Sequence, residues 1–177
     1  MSTPFKDIEI VNCLFFDNQA EEAAKFYTSI FPNASIDEVT HFPEASTELH
    51  KQPAGSVMFV LFNLNGQRFT ALNSKPAEIP MTEAISFQIF CDDQAEIDYY
   101  WDKLSEGGDE TAQRCGWLKD KYGVSWQVVP KGLMKLMSKA TPEARWKAMQ
   151  AFGKMSKMVL QDVVDAVEGK DEKSAET

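Results

Sequence analysis

Cys115 is the residue of this chain best suited to covalent chemistry. It follows Arg114 and stands four residues before Lys119. A nearby cation lowers a thiol's pKa and raises its nucleophilic thiolate fraction. No histidine adjoins it in sequence to serve as a base, so its candidate catalytic role rests on those cations. Cys13 and Cys91 lie in apolar stretches and read as inert fillers. His41 and His50 share the segment 41–55 with two prolines and two glutamates. That segment reads as a loop and its histidines as solvated side chains. Asp120 and Tyr122 mark a turn, with Asp120 expected to hold the local backbone N–H groups.

The elements that must position these groups emerge from an internal repeat. Phe15-Phe16-Asp17-Asn18-Gln19-Ala20-Glu21 matches Phe90-Cys91-Asp92-Asp93-Gln94-Ala95-Glu96 at an offset of 75 residues, with five of the seven positions identical. Each copy predicts a strand, over 11–16 and 84–91, rich in residues that suit a pleated sheet. Each then predicts a helix start, with Asp17/Asn18 and Asp92/Asp93 offering side-chain caps. Apolar residues at helical spacing follow, and Pro32-Asn33 and Gly107-Gly108 end the two helices.

Further strands are expected at 35–42 and 57–64, the latter joined through an Asn65-Gly66 hairpin to 67–73. The second copy offers strands at 111–119 and 124–129 around a turn at 120–123. Each half therefore reads as β-α-β-β-β. After Lys131 the pattern is helical. A short helix spans 133–139, and Thr141 caps another with Pro142 at its first position. Trp146, Met149 and Phe152 make one apolar stripe, and helix is expected to resume from Met155 to about Glu168.

The chain has 177 residues, 44% apolar and 25% charged, with a net charge of −9. That composition supports a packed core and excludes a disordered chain or a disulfide-stapled miniprotein. The acidic balance argues against nucleic acid as a partner. No apolar run approaches the ~20 residues that span a bilayer, so no membrane partner is expected. The absence of an apolar leader at the N-terminus and the odd cysteine count without a CxxC pair point to a reducing, cytoplasmic setting. The charge is segregated: residues 1–130 sum to −11, 131–157 to +6 and 158–177 to −4.

Several stretches together carry a family resemblance. They are Cys13-Leu14-Phe15-Phe16-Asp17, Gln19–Ala24, Phe26-Tyr27, Asn65–Phe69 with Ala71-Leu72-Asn73, Ala84–Phe87, and above all Cys115–Pro130. They resemble the PhnB-like branch of the vicinal oxygen chelate superfamily, which includes glyoxalase I and bleomycin-resistance proteins. That branch is often labelled 3-demethylubiquinone-9 3-methyltransferase. The resemblance implies an α+β fold of two β-α-β-β-β modules, about 7–78 and 79–130, whose curved sheets enclose a cleft. A helical extension at 131–168 and a polar tail at 169–177 follow.

Metal-dependent members of the superfamily place His on the first strand and Glu on the last strand of each module. Here those slots fall to Asn12, Phe87, Thr70 and Gln127, with Cys13 and Gln88 substituted if the register slips by one. None is a good ligand for a catalytic divalent ion, so neither a metal nor another cofactor is expected. The nine glycines contain no GxG pair, which leaves the methyltransferase label without its usual nucleotide loop. The cleft implied by the resemblance offers Asn12, Phe69, Asn73, Gln88, Trp117, Trp126 and Gln127 as ligand-binding residues, apolar or amide in character.

Three functions remain open at this stage. One is a metal-free small-molecule binding protein. The second is an atypical enzyme acting on a small aromatic or quinone-like substrate. The third is an interaction protein using the C-terminal helices, whose methionines make an adaptable face. A homodimer is expected.

Overall fold

The computed structural model describes residues 8–43, 52–73, 80–168 and 170. The chain divides into two compact units, Met1–Pro80 and Met81–Thr177. In the first, β1 (Asn12–Phe16), α1 (Ala20–Ile30), β2 (Ser35–His41), β3 (Val57–Leu64) and β4 (Gln67–Asn73) form a sheet of order β1-β4-β3-β2 with one helix against it. β1 runs parallel to β4, and the other pairs are antiparallel. Asn65 and Gly66 both take positive φ, 48° and 90°, as the expected two-residue hairpin requires.

Alternation in β3 and β4 sorts the two faces. Val60, Phe62, Leu64, Phe69 and Ala71 are buried toward α1, whose Ala20, Ala23, Ala24, Tyr27 and Ile30 are buried in return. Tyr27 stacks on Phe62 at 6.2 Å between centroids, and Phe62 on Phe69 at 5.2 Å. The cap of α1 comes from a distance. Gln19 at the N-cap makes no side-chain bond, and the Ala20 N–H donates instead to Asn73 Oδ1 on β4, at 2.9 Å. The Asn73 amide donates in turn to the Val57 carbonyl. His41 ends β2 opposite Val57 and is not a loop residue, while His50 lies outside the described residues.

The second unit repeats the scheme with one strand fewer. β5 (Phe87–Cys91), α2 (Gln94–Ser105), β6 (Trp117–Lys119) and β7 (Ser125–Pro130) give a sheet of order β5-β7-β6, with β5 parallel to β7. Asp93 caps α2 by accepting from the Glu96 N–H, and Glu96 Oε2 accepts from the Asp92 N–H. The reciprocal pair satisfies two orphan donors.

The strand expected over 111–119 shrinks to three residues for local reasons. Asp109 accepts from both the Thr111 N–H and its hydroxyl, winding Glu110–Ala112 into a 3-10 turn. Cys115 and Gly116 then take positive φ, 51° and 79°, in a tight turn bridging Arg114 to Trp117. The close approach of Gly108 to β6 also constrains this region: a Cβ there would stand 2.1 Å from the Lys119 carbonyl oxygen.

Asp120 organises the β6–β7 turn. It is buried, and it accepts from the Tyr122 N–H, the Val124 N–H and the Trp126 indole N–H at 2.8–3.0 Å.

After β7 come α3 (Leu133–Lys139), α4 (Pro142–Phe152) and α5 (Leu160–Glu168). Thr141 caps α4 as expected, accepting from Ala144 N–H. Trp146 and Met149 point outward, and the buried residue of α4 is Ala148, packed with Ala166 and Val167 of α5. Residues 155–159 are not helical, because other partners use their backbone. Met155 and Ser156 carbonyls accept from the Cys115 and Gly116 N–H groups. Gln94 donates to the Met158 carbonyl and accepts from the Leu160 N–H. Among the described residues, no helix is long and apolar enough to cross a membrane.

Asp120→Ala removes three bonds from a buried carboxylate and should cost about 3–5 kcal/mol in urea unfolding. Asp109→Ala, on an exposed turn, should cost about 1 kcal/mol or less. The Cys91 thiol is pushed from its ordinary value of 9.0 up to about 12 by burial and by Glu96, Asp93 and Asp92. Its neutral form therefore favours the fold below pH 9, and that contribution fades as pH rises toward 12. Cys91 should resist alkylation in the native protein at pH 8 and react once the chain is unfolded in urea.

Candidate functional site

The two parallel strand pairs decide which side chains share a face. In the first unit Cys13 lies beside Thr70, and in the second Gln88 lies beside Gln127. Residues side by side in paired strands point the same way. Helices cover the opposite sides, so Cys13/Thr70 and Gln88/Gln127 belong to the faces that α1 and α2 leave open. The repeat is visible here too: Phe15 and Phe90, 75 residues apart, are 46% and 49% exposed.

On the second unit's open face, three of the expected ligand-binding residues form one row. Gln88 of β5, Gln127 of β7 and Trp117 of β6 are consecutive partners across the sheet. Gln88 Nε2 donates to Gln127 Oε1 at 3.1 Å, and Gln127 Nε2 donates to Ser86 Oγ at 2.7 Å. This chain ends in a hydroxyl that can donate onward at Ser86 and a carbonyl oxygen that can accept at Gln88. Trp117 is half-buried beside it, and Phe90 continues the face along β5. Ser125, on the same side of β7, is buried, and its hydroxyl has no hydrogen-bond partner among the described residues. Glu83 neutralises the nearby cations, meeting Arg114 at 2.9 Å and Lys119 at 3.6 Å.

The other four expected residues lie on the helix-covered sides. Asn12 pairs with Phe69, and Phe69 is core. Asn73 uses its amide to cap α1 and hold β3. Trp126 packs on Phe87 at 5.3 Å and gives its N–H to Asp120. The period of two separates the row from these residues, and sequence alone did not resolve that parity.

Cys115 stands apart from the row. Its N–H donates to Met155 O at 2.7 Å and its thiol to Phe152 O at 3.1 Å. These partners fasten the turn to the C-terminal segment.

A metal of the superfamily's kind calls for imidazole and carboxylate donors. The open-face residues in the ligand slots are Cys13, Thr70, Gln88 and Gln127, the one-residue-shifted register. Partial desolvation pushes the Cys13 thiol up, which opposes ligation as thiolate. The others are a hydroxyl and two amides. Among the described residues, no three His, Cys, Asp or Glu side chains come together to hold an ion. These residues do not fit the group.

Sequence reasoning missed a cavity of about 410 Å³ at the start of α1. Asp17, Glu21, Glu22, Ser56, Val57 and Asn73 are among the residues that line it. Its only sequence signal was the acidic first turn of α1.

The chain resembles known proteins in sequence and in fold. A family model described as 3-demethylubiquinone-9 3-methyltransferase matches residues 8–129. The PhnB protein from Bacillus cereus is 33% identical, with a TM-score of 0.59, over 69% of this chain and 99% of that one. Protein PA1353 from Pseudomonas aeruginosa is 21% identical, with a TM-score of 0.50, over 71% of this chain and 99% of that one. The fosfomycin resistance protein FosX from Mesorhizobium loti is 14% identical, with a TM-score of 0.50, over 76% of this chain and 100% of that one. The last two share the fold alone. No relative was found among curated proteins. The fold is α+β, and the chain belongs to the 3-demethylubiquinone-9 3-methyltransferase family, the PhnB-like branch of the vicinal oxygen chelate superfamily.

Proposed function

We propose that this protein binds a small, neutral, flat organic molecule on the open face of the β5-β7-β6 sheet, without a metal ion. The observation that carries this reading is the Gln88–Gln127–Ser86 hydrogen-bond chain beside Trp117. A planar ligand can stack on the indole. Its carbonyl can accept from Ser86, and a hydroxyl or N–H can donate to Gln88. Uncharged donors and acceptors suit an uncharged ligand, since no uncompensated cation stands in the row to repay an anion's desolvation. The residues in the ligand slots supply neither imidazole nor carboxylate, which supports binding without an ion.

Methyl transfer, named in the family's description, finds no support in the chain's glycine pattern. β1 leads into α1 through Asp17-Asn18-Gln19, and no GxG pair occurs anywhere. Cys13, Cys91 and Cys115 are all free thiols, in keeping with a reducing, cytoplasmic location.

Thermal-shift and calorimetric titration with a neutral naphthoquinone, and separately with methylphosphonate, tests the reading. The quinone should raise the melting midpoint, and the phosphonate should not. Gln88→Ala should weaken quinone binding about 5–20-fold by removing a hydrogen bond worth ~1–1.7 kcal/mol. Stabilisation by the phosphonate alone, or undiminished quinone affinity in both Gln88→Ala and Gln127→Ala, would contradict it. Conversion of the quinone to a product would favour the enzymatic alternative.

A further inference from the structure

Among the described residues, one buried side-chain polar atom has no hydrogen-bond partner, and it is the hydroxyl of Ser125 at the start of β7. Ser125 is 3% exposed. A buried hydroxyl left unpaired costs free energy, so a fold that keeps one calls for an explanation.

The strand register places this hydroxyl. Ser125 pairs with Lys119 of β6, two positions along from the Gln127–Trp117 pair, so it shares their open face. On the other side of β7, Ser86 and Ser125 immediately precede the paired Phe87 and Trp126. Ser86, Ser125 and Lys119 therefore make a second row beside Gln88, Gln127 and Trp117. Ser86 accepts from the Gln127 amide at 2.7 Å, which leaves its own O–H to donate.

Spacing decides what can satisfy both serines. Neighbouring strands lie ~4.8 Å apart, too far for the two hydroxyls to bond each other. An oxygen midway between them, raised a little above the sheet, stands ~2.8 Å from each, an ordinary O–H···O length. A carbonyl oxygen has two lone pairs and accepts from both. A carboxylate is less suited, because the charge of Lys119 is already met by Glu83 at 3.6 Å. On this face the neighbours of Ser125 along β7 and across to β6 are Gln127 and Lys119. Both are long and unbranched, with rotamers that can swing aside for the tip of a ligand.

We infer that Ser125 and Ser86 together clamp one carbonyl oxygen of the ligand. Ser125 is then the residue that selects a planar ketone or quinone over a flat molecule without such an oxygen. This inference rests on the reading that the open face of the β5-β7-β6 sheet binds a flat neutral molecule.

Two probes test it by calorimetric titration of the full chain. One is a naphthoquinone methylated at both free quinone carbons, which blocks addition of thiols. The other is the matching dimethylnaphthalene, which has the ring and no carbonyl. The wild type should bind the quinone more tightly. Ser125→Ala should weaken quinone binding about 5–10-fold and change hydrocarbon binding less than about twofold. Its melting midpoint without ligand should equal or exceed that of the wild type, because the hydroxyl removed is unpaired. A lowered midpoint, or an equal loss of affinity for both probes, would mean that the serine serves packing and would overturn the inference. Quinone binding weakened by Gln88→Ala and untouched by Ser125→Ala would overturn this inference alone. A wild type that binds no quinone would overturn it together with the reading beneath it.

Discussion

Parallel pairing of the first and last strands within each unit governs what every other residue of the sheet can do. With Cys13 beside Thr70 and Gln88 beside Gln127, the period of two sends their neighbours Asn12, Phe69, Phe87 and Trp126 to the helix side. A slip of one residue would put Trp126 on the open face, separate its indole from Asp120, and break the Phe62–Phe69 stack. The core therefore enforces the register, and the register leaves amides, a hydroxyl and a thiol on the faces that the helices do not cover.

The two copies of the repeat reach the same shape through different local chemistry. α2 is capped within its own first turn by Asp93 and Glu96. α1 has no such device and borrows Asn73 from β4, which ties the helix start to the sheet and to Val57. The second unit lacks a strand. Its Cys115-Gly116 turn turns outward to bind residues 155 and 156, and Lys157 reaches Asp98 and Asp102 on α2. The C-terminal segment is thus part of the second unit's hydrogen bonding.

Much of this was legible in the sequence where the signal was local. The 75-residue repeat, the Asn65-Gly66 hairpin, the Thr141 cap and the Asp120 turn depend on residues a few positions apart. The parts that were not legible depend on partners far along the chain. Asn73 reads as a polar strand end until Ala20 is seen beside it, 53 residues away. The 155–159 segment has helical periodicity, and its hydrogen bonds with Cys115, Gly116 and Gln94 explain why it is not helical. Spacing groups Trp146, Met149 and Phe152 in one stripe without giving its direction, and the inward side of α4 is instead centred on Ala148, packed with Ala166 and Val167 of α5. Among the candidate site residues, Gln88, Trp117 and Gln127 fall together, while Asn12, Phe69, Asn73 and Trp126 are drawn to the core by parity.

The central claim is that the open-face donors select a neutral ligand and hold no catalytic ion. The most direct test is elemental analysis of the full chain after saturation with Mn²⁺, Zn²⁺ or Ni²⁺ and removal of free metal. The account predicts a metal content well below one ion per chain for each. One tightly held ion per chain, lost on Gln127→Ala and retained on Cys115→Ala, would contradict it.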